Sequence, residues 1–151
     1  MAQKRLNIIP EGSSPLQEKF INCIMRGGKK SVAQRIFNDT MSIIAERGNK
    51  EPLKIFEKAL DTIKPTLEVK AKRIGGAVYQ IPMEVKPARQ MTLCIRWLLS
   101  VTRVKRNAPM AKKLADELLL AVNGEGATIK KRDDVMKMAQ ANKAFAHYAK
   151  Y

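Results

Sequence analysis

The chain has 151 residues, a length suited to one domain, and carries 29 Lys or Arg against 14 Asp or Glu, a formal net charge of +15 that suits a polyanionic partner. Hydrophobic residues at 45% exclude a disordered basic tail, while two cysteines, Cys23 and Cys94, exclude a disulfide-rich secreted scaffold and predict a reducing compartment. No apolar run approaches the roughly 18 residues of a bilayer span and the first ten residues carry no export signal, so no membrane association is expected.

Residues 1–13 read as an N-terminal extension whose basic groups are Lys4 and Arg5. Ser14, Pro15 and Gln17 then form a capping-box pattern, and Leu16, Phe20, Ile21 and Ile24 follow at helical spacing until Gly27 and Gly28 stop the helix. A second helix places Val32, Ile36, Thr40, Ile43 and Ile44 on one face and ends at Gly48. Pro52 opens a third, with Leu53, Phe56, Leu60 and Ile63 as its stripe, and Pro65 closes it. The period then changes to two. Leu67, Val69 and Ala71 alternate with charged residues, Tyr79, Ile81, Met83 and Val85 alternate in turn, and Gly75-Gly76 between them predicts a tight hairpin turn. Pro82 cannot donate to a ladder, which points to an exposed edge. A fourth helix from Pro87 to about Lys105 carries Met91, Ile95 and Leu98 beside Leu93, Trp97, Val101 and Val104. A fifth, capped by Asn107, carries Leu114, Leu118 and Ala121. A sixth begins after Thr128 and reaches about His147, with Val135, Met138 or Ala139, Asn142 and Phe145 facing the core. The prediction is one mainly α domain over residues 1–151. It is a bundle of about six helices with a protruding two-stranded β-hairpin arm at 67–86 and a C-terminal helix and tail at 128–151.

Charge is distributed unevenly. Residues 71–113 hold ten basic side chains and a single acid, Glu84, whereas residues 114–151 hold six and five. Solvated surfaces intersperse both signs, so the acid-poor block reads as a binding surface. Arg89, Arg96 and Arg103 are seven residues apart, about two helical turns each, and line one cationic stripe. Lys70, Lys72 and Arg73 precede that stripe on the hairpin, Lys86 lies at its exit, and Lys105, Arg106, Lys112 and Lys113 follow it. Such a set can track the phosphates of a folded RNA. Trp97, between Leu93 and Val101 at helical spacing, reads as a core anchor, whereas Tyr79 is open to either base stacking or packing. Aromatics at 5% put recognition on shape and phosphates more than on stacking.

No catalytic set emerges, and the chain is not expected to be an enzyme or to hold a metal or cofactor. Gly27-Gly28-Lys29-Lys30-Ser31 has a phosphate-loop flavour, but the earlier glycine that loop requires is Cys23 here, and a helix precedes it instead of a strand. A helix stop that adds phosphate contacts from Lys29 and Lys30 fits better. His147 is the only histidine, which leaves no pair for a metal or a dyad. Glu57 and Asp61 share a helix face with Lys54, Lys58 and Lys64 and read as surface ion pairs, and both cysteines read as buried, inert thiols.

The segment Lys70-Ala71-Lys72-Arg73-Ile74-Gly75-Gly76-Ala77-Val78-Tyr79-Gln80-Ile81-Pro82-Met83-Glu84-Val85 closely resembles the hairpin signature of small-subunit ribosomal protein seven of the bacterial type. Gly28-Lys29-Lys30-Ser31, Leu93-Cys94-Ile95-Arg96-Trp97-Leu98, and Met138-Ala139 with Ala141 to Tyr148 are similar to that family's other hallmarks, in the same order and spacing. The resemblance implies a ribosomal protein that binds small-subunit ribosomal RNA directly and nucleates the head domain. It also implies a hairpin near exit-site transfer RNA and the messenger, and a C-terminal helix near small-subunit ribosomal protein eleven. By motif match and charge, RNA contact is expected from Lys29, Lys30, Lys70, Lys72, Arg73, Lys86, Arg89, Arg96, Arg103, Arg106, Lys112 and Lys113. Gly75, Gly76 and Tyr79 are then expected at the arm tip nearest transfer RNA. The expected location is the ribosome, in a bacterial cytoplasm or an organelle interior. Met136, Gln140 and the closing Ala149-Lys150-Tyr151 depart from residues frequent in the family. A helix-turn-helix DNA-binding regulator is the alternative for a compact basic helical domain with a β-wing.

Overall fold

The computed structural model describes residues 9–10, 12–48 and 50–150, so Lys4, Arg5 and Tyr151 lie outside the described residues. Ser14 starts helix α1 (Pro15–Ile24) through a complete capping box: its hydroxyl accepts from the Gln17 N–H, and the Gln17 side chain accepts from the Ser14 N–H. Helices α2 (Lys30–Glu46) and α3 (Pro52–Ile63) follow, then strands β1 (Leu67–Ile74) and β2 (Ala77–Glu84). Helices α4 (Pro87–Val104), α5 (Met110–Val122) and α6 (Ala127–Ala141) come next, and a 3-10 helix over Lys143–Lys150 ends the described chain. The architecture is the predicted one, mainly helical with a single antiparallel hairpin.

Three phenylalanines from three helices seed the core. The Phe20, Phe37 and Phe56 rings meet edge-on, with centroids 5.0 to 6.0 Å apart, the geometry that the aromatic quadrupole favours. Leu60 and Ile63 of α3, Ile95 and Leu98 of α4, and Leu114 and Leu118 of α5 complete it, all fully buried. Trp97 is buried as expected. The Cys94 Sγ donates to the Leu60 carbonyl at 3.4 Å, and burial pushes this thiol up to about 12. Thr40 is buried between α2 and α5 because its hydroxyl donates to Ile36 O at 2.7 Å, an internal partner for a group facing Ala111.

Several expected faces are rotated. The buried positions of α2 are Ala33, Phe37, Thr40 and Ile44, and Val32 is 44% exposed. Phe37, drawn to the other two rings, turns the helix so that Ile36 and Ile43 sit on its flank. Leu53 and Val104 are 43% and 78% exposed because they lie at helix ends beyond the core. Cys23 is exposed, not buried. Asn107 is not the cap of the fifth helix: Pro109 precedes Met110 there in an extended conformation, and no side chain caps. The last α-helix starts at Ala127, one residue before Thr128, and ends at Ala141, well short of His147. Asn142 is its C-cap, where the backbone N–H and the side-chain Nδ2 both donate to the Met138 carbonyl, at 3.1 and 2.8 Å. Ala139 takes the core position, Met138 is exposed, and Asn142 and Phe145 sit away from the core.

The hairpin pairs Ile74 with Ala77 across Gly75-Gly76, whose φ values of 57° and 90° are the positive ones a two-residue turn demands. The arm is less bare than expected. Helix α6 packs on both strands, the 3-10 helix packs on β2, and Pro82 is buried although its strand is an edge.

Candidate nucleic-acid interface

Three elements carry the predicted cations. On the arm, Lys72 pairs with Tyr79 and Lys70 with Ile81, which puts these four side chains on one face of the ribbon, while Arg73 pairs with Val78 on the other. Lys70 and Arg73 are exposed, and Lys72 is half-buried. The Tyr79 ring does not stand free at the tip. It meets Phe145 at 5.2 Å and Tyr148 at 5.6 Å between centroids, and the His147 ring lies tilted beside Tyr148 at 3.9 Å. The Tyr79 ring thus packs on the 3-10 helix, and Gly75 and Gly76 form the turn at the tip.

On α4, Arg89, Arg96 and Arg103 are all exposed, as the seven-residue spacing predicts, but their environments differ. Arg89 Nε lies 3.3 Å from the Glu68 carboxylate. Arg103 Nη2 donates to the carbonyls of Cys23 at 3.1 Å and Ile24 at 3.3 Å. Arg96 has no partner among the described residues. Burial first, and then the neighbouring Arg26 charge, hold the Arg103 guanidinium below its ordinary value. A groove of about 290 Å³ between α1 and α4 gathers Lys19, Arg96 and Arg103 around Cys23, Thr92 and Ser100.

At the α1–α2 turn, Lys30 is committed to the Glu18 carboxylate at 2.7 Å, and Lys29 is exposed. Beyond α4, Lys113 donates to the Lys105 carbonyl at 2.6 Å, while Arg106 and Lys112 are exposed. Lys105 is taken up by a buried acid that the sequence reading did not single out. Glu117 is fully buried, its Oε2 lies 2.6 Å from Lys105 Nζ, and its Oε1 accepts from the Thr128 N–H at 2.7 Å and the Thr128 hydroxyl at 2.8 Å. Burial alone would raise the Glu117 pKa, but the Lys105 and Thr128 hydrogen bonds and the Lys105 charge together hold it below the ordinary carboxylate range.

Of the twelve cations named from sequence, Lys30, Arg89, Arg103 and Lys113 therefore have internal acceptors. The other eight, Lys29, Lys70, Lys72, Arg73, Lys86, Arg96, Arg106 and Lys112, have none among the described residues. Uncommitted cations are the ones that gain most from an incoming phosphate, since no internal ion pair must break first. Sequence reasoning missed Lys19 on α1 and Arg26 in the turn after it, which extend this surface, and Lys131, whose Nζ donates to Ser100 Oγ at 3.0 Å beside Arg96. The available signal was the seven-residue spacing of Lys19 and Arg26, which repeats that of the α4 stripe.

The described residues hold no cluster of His, Cys, Asp and Glu fit for a metal, and no described helix is long and apolar enough to cross a membrane. The family model described as ribosomal protein S7p/S5e matches residues 2–143. The chain is 53% identical over 142 residues to the small ribosomal subunit protein uS7 of Rhodopirellula baltica, which covers 93% of this chain and 90% of that one. It is 49% identical to uS7 of Magnetococcus marinus, covering 93% and 92%, and 50% identical to uS7 of Marinobacter nauticus, covering 98% and 96%. A match of that extent means that the chain belongs to the S7p/S5e family of ribosomal proteins, a structural and non-enzymatic family of the small subunit.

Proposed function

We propose that this protein binds small-subunit ribosomal RNA directly and nucleates the head domain, by neutralising closely spaced phosphates with the arm, the outer face of α4 and the α1–α2 turn. The observation that carries the reading is the set of exposed, uncommitted cations Lys29, Lys70, Arg73 and Arg96, of which Arg73 and Arg96 fall in the 71–113 block whose single acid is Glu84. The arm tip at Gly75-Gly76 then lies near exit-site transfer RNA and the messenger, and α6 with the 3-10 helix lies toward ribosomal protein eleven. The working location is the ribosome of a bacterial cytoplasm or an organelle interior.

Filter binding to a head-domain RNA fragment tests this reading. Each neutralised phosphate contributes about 0.7 to 0.9 to the slope of log affinity against log salt, so the slope should be steep. Duplex DNA at equal concentration should not displace the RNA. A flat salt response, or displacement by the duplex, would count against the reading and favour a DNA-binding module.

A further inference from the structure

Helix α1 ends without the devices that ordinarily finish a helix. Its C-cap residue, Met25, is extended (φ −53°, ψ 138°), no basic residue of its own occupies the last turn, and the only cap bond is Met25 N–H to Ile21 O. The carbonyls of Cys23 and Ile24 fall in the last turn, where intrahelical partners are lacking. What fills them comes from 80 residues away, where Arg103 Nη2 spans both oxygens. A cation at a helix C-terminus is also favoured by the macrodipole.

The chain beyond this point has little else to hold it. Gly27 and Gly28 both have positive φ, and nothing lies within 4 Å of where their side chains would be. Within the turn only two backbone bonds form, Lys29 N–H to Arg26 O and Lys30 N–H to Gly28 O. The far end of the turn is tied by Lys30 to the buried Glu18 on α1. The open turn is thus clamped at both ends by cations that are themselves spoken for. Arg26 and Lys29, between the clamps, share the rim of a groove of about 260 Å³ with Arg103.

We propose that Arg103 is a positioning residue, which seats the end of α1 so that Arg26 and Lys29 are presented together to a single stretch of phosphate backbone. This rests on the RNA-binding reading above and refines it by removing Arg103 from the set of direct phosphate contacts.

A double-mutant cycle separates positioning from contact. Arg103→Met alone should weaken binding of the head-domain RNA fragment about tenfold, the scale of losing hydrogen bonds made by a charged group. In an Arg26→Ala, Lys29→Ala background the same change should cost less than about twofold and leave the salt slope unchanged, because the groups it positions are already gone. Hydrogen exchange on the free protein gives a readout without RNA: amides of residues 25–30 should exchange faster in Arg103→Met, while those of α4 and α5 keep their protection. Equal losses in both backgrounds, with the slope falling by about the value of one phosphate, would make Arg103 a direct contact and overturn the proposal. Unchanged exchange at residues 25–30 would also overturn it. Should Arg103→Met unfold, Arg103→Lys in the same cycle carries the test, since it keeps a donor at the site and should be milder on exchange. Failure of the unmutated protein to bind RNA with a steep salt slope would instead defeat the underlying reading, and the two failures are distinguishable.

Discussion

Taking a carboxylate out of water is costly unless its oxygens find partners, and Glu117 meets that cost by bridging three segments of chain. One oxygen holds Lys105 at the end of α4, and the other serves as the N-cap that α6 lacks locally, since Gly126 has no side chain to offer. Gly126 itself is obligatory. Its φ is 100°, and a Cβ there would lie 2.9 Å from Glu117 Oε1, so Gly126→Ala should cost about 2 kcal/mol through strain and a displaced carboxylate, measurable by urea melts. Glu117→Gln should cost about 2 kcal/mol at pH 7 by weakening the Lys105 bond. The pH dependence follows from the sign of the shift. Because the folded carboxyl titrates below its ordinary value, its contribution is fully present above the unfolded carboxylate pKa of about 4.3 and is lost as the pH falls through the lower folded value. The gap between the two proteins should therefore narrow on acidification from pH 7 to 3, and a gap that stays constant would mean that Glu117 is not ionised in the fold.

At the scale of elements, the arm and its cover form the unit most exposed to a single change. Tyr79 is the only side chain of β2 whose ring contacts the 3-10 helix aromatics, and aromatic pairs of this kind are worth about 0.5 to 1.5 kcal/mol each. Tyr79→Ala should release residues 143–150 from the arm. Hydrogen exchange there should rise while α3 and α5 amides remain protected, and unaltered exchange would show that the segment is held by something else. This contact also marks where sequence reasoning stops. The helices of the first half, the hairpin and its Gly-Gly turn were legible because each is governed by local chemistry: a capping box, a proline at the helix start, a period-two pattern. The rotation of α2 was not, because Phe37 faces inward to meet Phe20 and Phe56 from other helices, and only tertiary packing ranks it above Val32. The break at Asn142 was missed for a related reason. Asn142, the C-cap of α6, is an ordinary polar residue in the pattern, and the chain beyond it runs on as a 3-10 helix whose aromatics pack on the arm, a tertiary contact that local periodicity does not carry.

For the whole molecule the question is whether net charge or its placement drives association. The cationic stripe of α4 was legible from spacing alone, since the seven-residue interval puts Arg89, Arg96 and Arg103 on one side of any helix. Their division of labour was not legible, because Glu68 and the α1 carbonyls that occupy two of them come from distant parts of the chain. A charge of +15 attracts any polyanion at long range, an effect that salt screens over about 8 to 10 Å. Contacts made at fixed positions add a term that depends on which cations are removed. Replacing Lys72, Arg73 and Arg96 together with alanine removes three charges from the proposed surface, and replacing Lys50, Lys54 and Lys58 removes three from the opposite chemical setting, an exposed patch at the start of α3. Both variants should keep the helical circular dichroism of the parent, as none of the six side chains belongs to the core. The first should lower the salt slope for head-domain RNA by about 2 to 3 and weaken binding severely, while the second should change the slope by less than about 1. Equal effects from the two triples would mean that bulk charge alone holds the RNA, and the arm and α4 would then have no special part in the interface.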